Sequence, residues 1–241
     1  MFVAPGSCQG PVVVLGGADA DRVRERGLRP GDALVVLDNS GWAWSTVLEH
    51  VEDGVCRARV TERWLAPERR TQVSVYQGLL HPSDFRRLLS AATGLGVVAF
   101  VPVIADGSII PAAGGVGDDD AAAWERMARD AAEAAGRGRA PSVSGPMFLD
   151  HALDQAARNS TVLFVDGAGS PIATVLADRP FSVDVFLPPP SGFSADERAR
   201  AVARGVHVVA APRAGPDPVA RAAAVLQTVY DGLEAPAADA P

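Results

Sequence analysis

Residues Phe181 to Ala210 read FSVDVFLPPPSGFSADERARAVARGVHVVA, and the order of patterns inside this stretch decides the fold class. FSVDVF is a β-branched and aromatic run of strand type. Ser194-x-x-Glu197 has the form of a capping box that opens the helix ADERARAVARG, and VHVVA is a second strand. Strand, loop, capped helix and strand are the unit of an α/β domain with a mostly parallel sheet. The loop between them, LPPPSG, lies where such proteins often hold a ligand, because loop N–H groups and a helix N-terminus favour polar or anionic atoms. Three consecutive prolines, Pro188 to Pro190, remove three of those donors.

The same alternation extends in both directions. VSVYQGLL is a strand, followed by a helix that Ser83 is expected to cap, with Phe85, Leu88, Leu89 and Ala92 at helical spacing. After a Gly-Leu-Gly turn come the strand VVAFVPVI, the Gly-rich acidic loop IPAAGGVGDDD, the helix AAAWERMARDAAEAAG, a short helix near MFLDHALDQAAR and the strand TVLFVD. A last helix starts at Asp217, and the tail APAADAP, residues 235–241, is expected to be disordered. Residues 1–66 read differently. VVVLGG, ALVVLD, WAWSTVLEHV and VCRARVTERW are short strands punctuated by RPGD, NSG and DG, which is the pattern of a small β-barrel. The predicted organisation is therefore a barrel over 1–66, the linker LAPERRT, and an α/β domain over 72–234.

Composition narrows the classes of function. At 241 residues and 48% hydrophobic the chain can build a substantial core, and no apolar run approaches the roughly 18 to 20 residues that span a bilayer. The N-terminus lacks a basic segment followed by an apolar one, so a cytoplasmic location and no membrane partner are expected. Cys8 and Cys56 are too few for a disulfide framework and stand far from metal-ligand spacing, so no metal is expected. All 22 basic residues are arginine and the net charge is −7, which argues against a broadly basic nucleic-acid surface. Local clusters remain, at Arg22, Arg24, Arg26 and Arg29 and at Arg126, Arg129, Arg137 and Arg139. LGGADAD follows a strand but lacks the G-x-G-x-x-G spacing of a pyrophosphate turn. A phosphate loop would need a lysine, and no G-x-S-x-G elbow occurs.

Four segments carry a likeness: GLRPGD at 27–32 with LDNSG at 37–41, ATGLGVVAFVPVI at 92–104, WERMARDAAEAAGRGRAP at 124–141, and GFSADE at 192–197. In order and spacing the chain resembles the RsmE family, the 16S rRNA uridine-N3 methyltransferases of the trefoil-knotted SPOUT class. That resemblance implies an N-terminal PUA-like β-barrel for RNA and a C-terminal SPOUT α/β domain with a trefoil knot that binds S-adenosyl-L-methionine. It further implies a homodimer and the rRNA of the small ribosomal subunit as partner. On it, Leu187, Pro189, Gly192, Phe193 and Pro212 are expected to bind the cofactor, Arg213 to act in catalysis, and Arg26, Arg29, Arg137 and Arg139 to meet RNA.

The chain departs from the family where the chemistry lies. Relatives carry Gly-Pro-Glu-Gly-Gly-Phe-Ser where this chain has Pro188 to Ser194. They carry Leu-Gly-x-x-Ile-Leu-Arg-x-Glu-Thr-Ala where it has Ala210 to Ala220, so the family's Arg and Glu fall on Pro216 and Pro218. A family lysine aligns with His81, a Glu with Gly94, an Arg with Gly107 and a Gln with Ala134, and the barrel's Val-Leu-Arg reads Glu25, Arg26, Gly27. Proline at 188, 190 and 216 fixes φ and deletes amide donors that such a pocket uses. Uridine N3 is a weak nucleophile until its proton leaves, so the site must position the base and favour the anion. Two readings follow: a divergent methyltransferase, or a catalytically inactive dimer that binds RNA or protein.

Overall fold

The computed structural model describes residues 1–4, 6–109, 118–156, 158 and 160–234. Most of the Gly-rich loop, at 110–117, and the tail at 235–241 lie outside the described residues. The chain forms two compact units, Met1–Glu68 with Ala132–Ala140, and Arg69–Ala131 with Pro141–Pro241.

The first unit is a five-stranded antiparallel sheet. In chain order its elements are β1 (Cys8–Gln9), β2 (Val12–Gly16), α1 (Ala18–Glu25), β3 (Ala33–Leu37), β4 (Trp42–Glu52) and β5 (Val55–Leu65), and the strands lie in the order β1-β2-β5-β4-β3. Alternating residues such as Val13, Leu15, Val36 and Leu48 turn inward and pack with Ala20 and Val23 of α1. The four strands read from the sequence are present; helix α1, in the stretch following LGG, was not anticipated. Its pattern is short, and only its third and sixth residues are buried, too few for a periodicity to register. Cys56 is fully buried, and burial pushes the thiol of Cys8 up to about 12, with Asp38 adding to the shift, so neither is poised to react.

The segment Ala132–Ala140 packs in this unit as a buttress. Glu133 accepts hydrogen bonds from the Phe2 amide at 2.5 Å, from Arg22 Nη2 at 2.6 Å and from Arg26 Nη2 at 2.9 Å. Burial pushes this carboxyl up, but the bonds from Arg22, the Phe2 amide and Arg26 outweigh it and leave the group below its ordinary value of 4.5. A depressed folded value means stability that is fully present above that ordinary value and lost as pH falls through the folded one. Glu133→Gln is therefore expected to cost about 1–3 kcal/mol at pH 7. The gap to wild type should shrink as denaturant melts are repeated below about pH 4.5.

Arg137, which the resemblance assigns to RNA, is held inside this unit. It is 5% exposed, and its Nη2 is 2.9 Å from Glu68 Oε2. Arg139 is exposed but occupied: its Nε and Nη2 donate to the Ser40 carbonyl at 3.2 and 2.8 Å, and the Ala140 amide donates to Asn39 Oδ1 at 2.8 Å. Two of the segments that carry the likeness, LDNSG and RGRAP, are thus partners in one buttress.

The second unit contains β6 (Gln72–Gly78), α2 (Pro82–Leu95), β7 (Ala99–Ile104), α3 (Asp118–Ala134, its last turn belonging to the first unit), β8 (Ser142–Val143), β9 (Met147–Phe148), α4 (Leu149–Ala156), β10 (Thr161–Asp166), α5 (Ile172–Val175), β11 (Ser182–Leu187), α6 (Ala195–Ala203), β12 (His207–Ala210) and α7 (Pro218–Glu234). Its strands run parallel in the order β12-β10-β11-β6-β7-β8, with β9 also on β7. The apolar runs TVLFV and VFL reflect a sheet covered on both faces. Leu163, Val165, Val183 and Val185 face the layer of α2, α3, α5 and α7, while Val162, Phe164 and Phe186 face α4 and α6. Helix α2 starts two residues earlier than predicted. His81, not Ser83, is its N-cap, with Pro82 at the first helical position and the Ser83 hydroxyl 2.8 Å from His81 Nδ1. The strand pairs β8 and β9 and the single-turn α5 are too short to leave a readable period. Among the described residues, no helix is long and apolar enough to cross a membrane.

Candidate functional site

Three strands end at one place. The chain leaves β6 at Gly78 into α2 on one face of the sheet, and leaves the adjacent β11 at Leu187 into α6 on the other. Divergence of this kind at the carboxyl ends of neighbouring parallel strands opens a crevice, the usual ligand position in open α/β sheets. A cavity of about 210 Å³ lies there, lined by Gln77, Asp166, Leu187, Gly192, Phe193 and Arg221, with Val165, Gly167, Pro188, Ala211, Pro218, Ala222 and Val225.

The loop between β11 and α6 is built rather than broken by its prolines. The Gly192 amide donates to the Pro189 carbonyl at 2.9 Å, which puts Pro190 at the second position of a four-residue turn, where a φ near −65° is wanted. Pro189 is buried behind the cavity, wedged on the end of the neighbouring strand β6. A Cβ on Gly78 would stand 2.5 Å from the Pro189 nitrogen, and one on Gly107 would stand 1.9 Å from Ser191 Oγ. The absence of a side chain at Gly107 is the room that this loop occupies. The capping box predicted at Ser194 and Glu197 is present in both directions, at 3.2 and 2.8 Å. Glu197, 1% exposed, also accepts from the Asp106 amide at 2.8 Å, and Ser194 Oγ donates to Asp106 Oδ2 at 2.7 Å. The loops that follow β7 and β11 are thereby tied together.

Polar groups in the cleft are few and oriented. Gln77 is 2% exposed; its Nε2 donates to the carbonyls of Gly78 at 2.8 Å and Pro188 at 3.0 Å, which fixes the amide, and its Oε1 has no partner. A buried acceptor without a donor costs about 1–3 kcal/mol, so an orphan on a cavity wall points to a ligand that brings the donor. Asp166 receives the Gly167 amide at 2.6 Å on Oδ1, and Arg198 Nε lies 2.9 Å from its Oδ2. Each carboxylate oxygen retains accepting capacity.

Among the residues expected to bind a cofactor, Leu187, Gly192 and Phe193 line the cleft. Phe193 is held by stacking on Phe164, ring centroids 4.1 Å apart. Pro189 supports the wall from behind, and Pro212 lies just past Ala211, outside the lining. Arg213 is exposed on the same loop, also outside it, as is Pro216. Gln77, Asp166 and Arg221 were not anticipated. Their shared signal was position, since two of them end strands and the third begins a helix at one edge of the sheet.

A family model for the RNA methyltransferase domain matches residues 67–211. Ribosomal RNA small subunit methyltransferase E of Mycobacterium bovis is 30% identical over 196 residues, covering 79% of this chain and 74% of that protein. Its counterpart from Synechocystis is 23% identical over 189 residues, covering 76% and 60%. Among solved structures, ribosomal RNA small subunit methyltransferase E from Neisseria gonorrhoeae, bound to S-adenosyl methionine, superposes with a TM-score of 0.83 at 20% identity, over 95% of this chain and 96% of that one. A methyltransferase from Legionella pneumophila in complex with the same cofactor gives 0.80 at 17% identity, over 95% and 96%. A cleft at the switch point of a parallel sheet, in a chain whose larger part matches the RNA methyltransferase domain, has one family to belong to: this protein is a member of the RsmE family of RNA methyltransferases.

Proposed function

We propose that this protein transfers a methyl group from S-adenosyl-L-methionine to N3 of a uridine in 16S rRNA, acting in the cytoplasm on the small ribosomal subunit. The observation that carries the reading is the orphaned Gln77 oxygen on the wall of a cleft at the carboxyl edge of the sheet. S-adenosyl-L-methionine fits these residues. Val165, Leu187, Phe193 and Val225 would suit the flat apolar face of its adenosyl part, and the acceptors of Gln77 and Asp166 would suit its amine and hydroxyl donors. When bound, it supplies an electrophilic methyl on a sulfonium leaving group.

The protein's own part is orientation and charge. Leu187, Gly192 and Phe193 hold the cofactor, with Pro189 stiffening the wall they stand on. Arg213, exposed on the loop leaving the cleft and without an ion-pair partner among the described residues, is assigned to the negative charge that uridine develops as N3 loses its proton. The loops around the cleft are read as a trefoil knot. Exposed Phe148 at 61%, on β9, and Val202 at 55%, on α6, support a homodimer. An inactive binding module is not favoured: the prolines shape the loop and leave the cleft open.

For RNA, we assign the N-terminal unit, residues 1–66, as a PUA-like domain, with Arg29 exposed for phosphate contact. Arg26 is less available, since Glu133 holds it. A second contact is the exposed Arg63, whose guanidinium lies over the rings of Trp42 at 5.0 Å and Trp44 at 5.7 Å. An arginine plane backed by indoles is a surface on which an unstacked base can lie. Arg63→Ala is expected to weaken binding of 16S rRNA fragments about 5- to 100-fold in filter binding, the worth of one stacked base.

The deciding experiment incubates the purified chain with methyl-labelled S-adenosyl-L-methionine and unmodified small subunits, and digests the rRNA for nucleoside mass spectrometry. N3-methyluridine above the enzyme-free control is expected. No labelled uridine, together with no calorimetric signal at millimolar cofactor, overturns the reading.

A further inference from the structure

Arg221 has no role in what precedes. It stands in the first turn of α7, next to Ala222 and one turn before Val225, and all three line the cleft. It is exposed and has no side-chain partner among the described residues. The acidic residue closest to it in sequence is engaged elsewhere, since Arg87 Nη2 lies 3.0 Å from Asp217 Oδ2. The acid in the cleft itself, Asp166, is held by Arg198. The lining therefore combines a guanidinium without counter-charge, a buried acceptor without a donor at Gln77, and a carboxylate with spare capacity. A ligand complementary to that set carries hydrogen-bond donors on one part and an anion on another.

We propose that Arg221 receives the carboxylate of the amino-acid part of S-adenosyl-L-methionine, and so selects the intact cofactor over neutral or purely cationic adenosyl compounds. The inference rests on the methyltransferase reading and adds a residue to it. A guanidinium matches a carboxylate with two parallel N–H bonds, a fork that an ammonium cannot reproduce. A phosphate of the RNA is the competing anion. It is disfavoured because Arg221 shares its wall with Ala222, Val225 and Leu187 inside the cleft, whereas Arg213, outside the lining, is better placed for a large polyanion.

The test is calorimetric titration of the full chain with S-adenosyl-L-methionine and with its decarboxylated analogue, in wild type, Arg221→Ala and Arg221→Lys. Wild type should prefer the carboxylated ligand about 10- to 100-fold, the value of a charge-assisted pair. Arg221→Ala should lose that preference by weakening only the carboxylated ligand, and Arg221→Lys should keep part of it. An exposed position on a helix surface leaves the melting temperature as a control that should not move. The inference is overturned if Arg221→Ala binds both ligands as wild type does, weakens both equally, or loses affinity for rRNA while cofactor affinity stays intact. A wild-type chain that binds neither ligand brings down the methyltransferase reading instead, and this inference with it.

Discussion

Arg137→Ala is expected to destabilise the N-terminal unit by about 1.5–3 kcal/mol, the worth of a buried side chain's charge-assisted hydrogen bonds. The guanidinium side chain is 6% exposed and that of Glu68 is 26% exposed, so the arginine is the member of the pair that water reaches poorly, and its removal takes both packing and hydrogen bonds from the unit. The pair also anchors the segment from which Arg139 grips the Ser40 carbonyl and Ala140 bonds Asn39, so those contacts loosen together. Urea melts followed by tryptophan emission read the effect, because Trp42, Trp44 and Trp64 all lie in this unit. Glu68→Gln with Arg137→Met should recover most of the loss, since a neutral pair of similar volume strands no charge. An Arg137→Ala chain with wild-type stability and reduced rRNA affinity would return this residue to the RNA surface.

Such a residue shows where sequence reading stops. The periods of 2 and 3.6 were legible wherever an element was long enough to repeat them, which is why β4, β5, α3, α6 and α7 fall where they were expected and α2 differs only at its start. Elements of one turn or two residues, α5, β8 and β9, carry no period. In RGRAP the sequence does not tell that the first arginine is buried. Burial by Glu68, distant in sequence, is a tertiary fact that spacing does not encode. The same holds at the cleft. Leu187, Gly192 and Phe193 were found from one contiguous loop, while Gln77, Asp166 and Arg221 come from three separate strand or helix ends and meet only through the sheet order.

The prolines expose the limit more sharply, and lead to the second large effect. Judged one position at a time, proline at 188–190 and glycine at 107 are losses; in the folded chain they are complementary. A Cβ on Gly107 would lie 1.9 Å from Ser191 Oγ and 3.3 Å from Pro189 Cγ. Gly107→Ala therefore drives the Ser191 hydroxyl from its place and crowds the Gly192 carbonyl oxygen at 3.2 Å, at the turn that carries Gly192 and Phe193 into the cleft, with overpacking of about 1 kcal/mol and a cofactor affinity lower by about 5- to 10-fold. Gly107→Arg, which restores the family's residue, should do more harm, because the longer side chain must leave through the same occupied space. The colliding atom is a single hydroxyl oxygen, so Ser191→Gly should relieve it. The double variant Gly107→Ala with Ser191→Gly is expected to bind S-adenosyl-L-methionine within a few-fold of wild type, a coupling that independent sites would not show. Gly78→Ala offers no such escape. Its Cβ would meet the Pro189 ring nitrogen at 2.5 Å, a backbone atom pinned by the neighbouring prolines, and no change at Ser191 can move it. If Gly107→Ala alone binds cofactor like the wild-type chain, the loop is not wedged against this glycine, and the complementarity of the prolines with Gly107 fails.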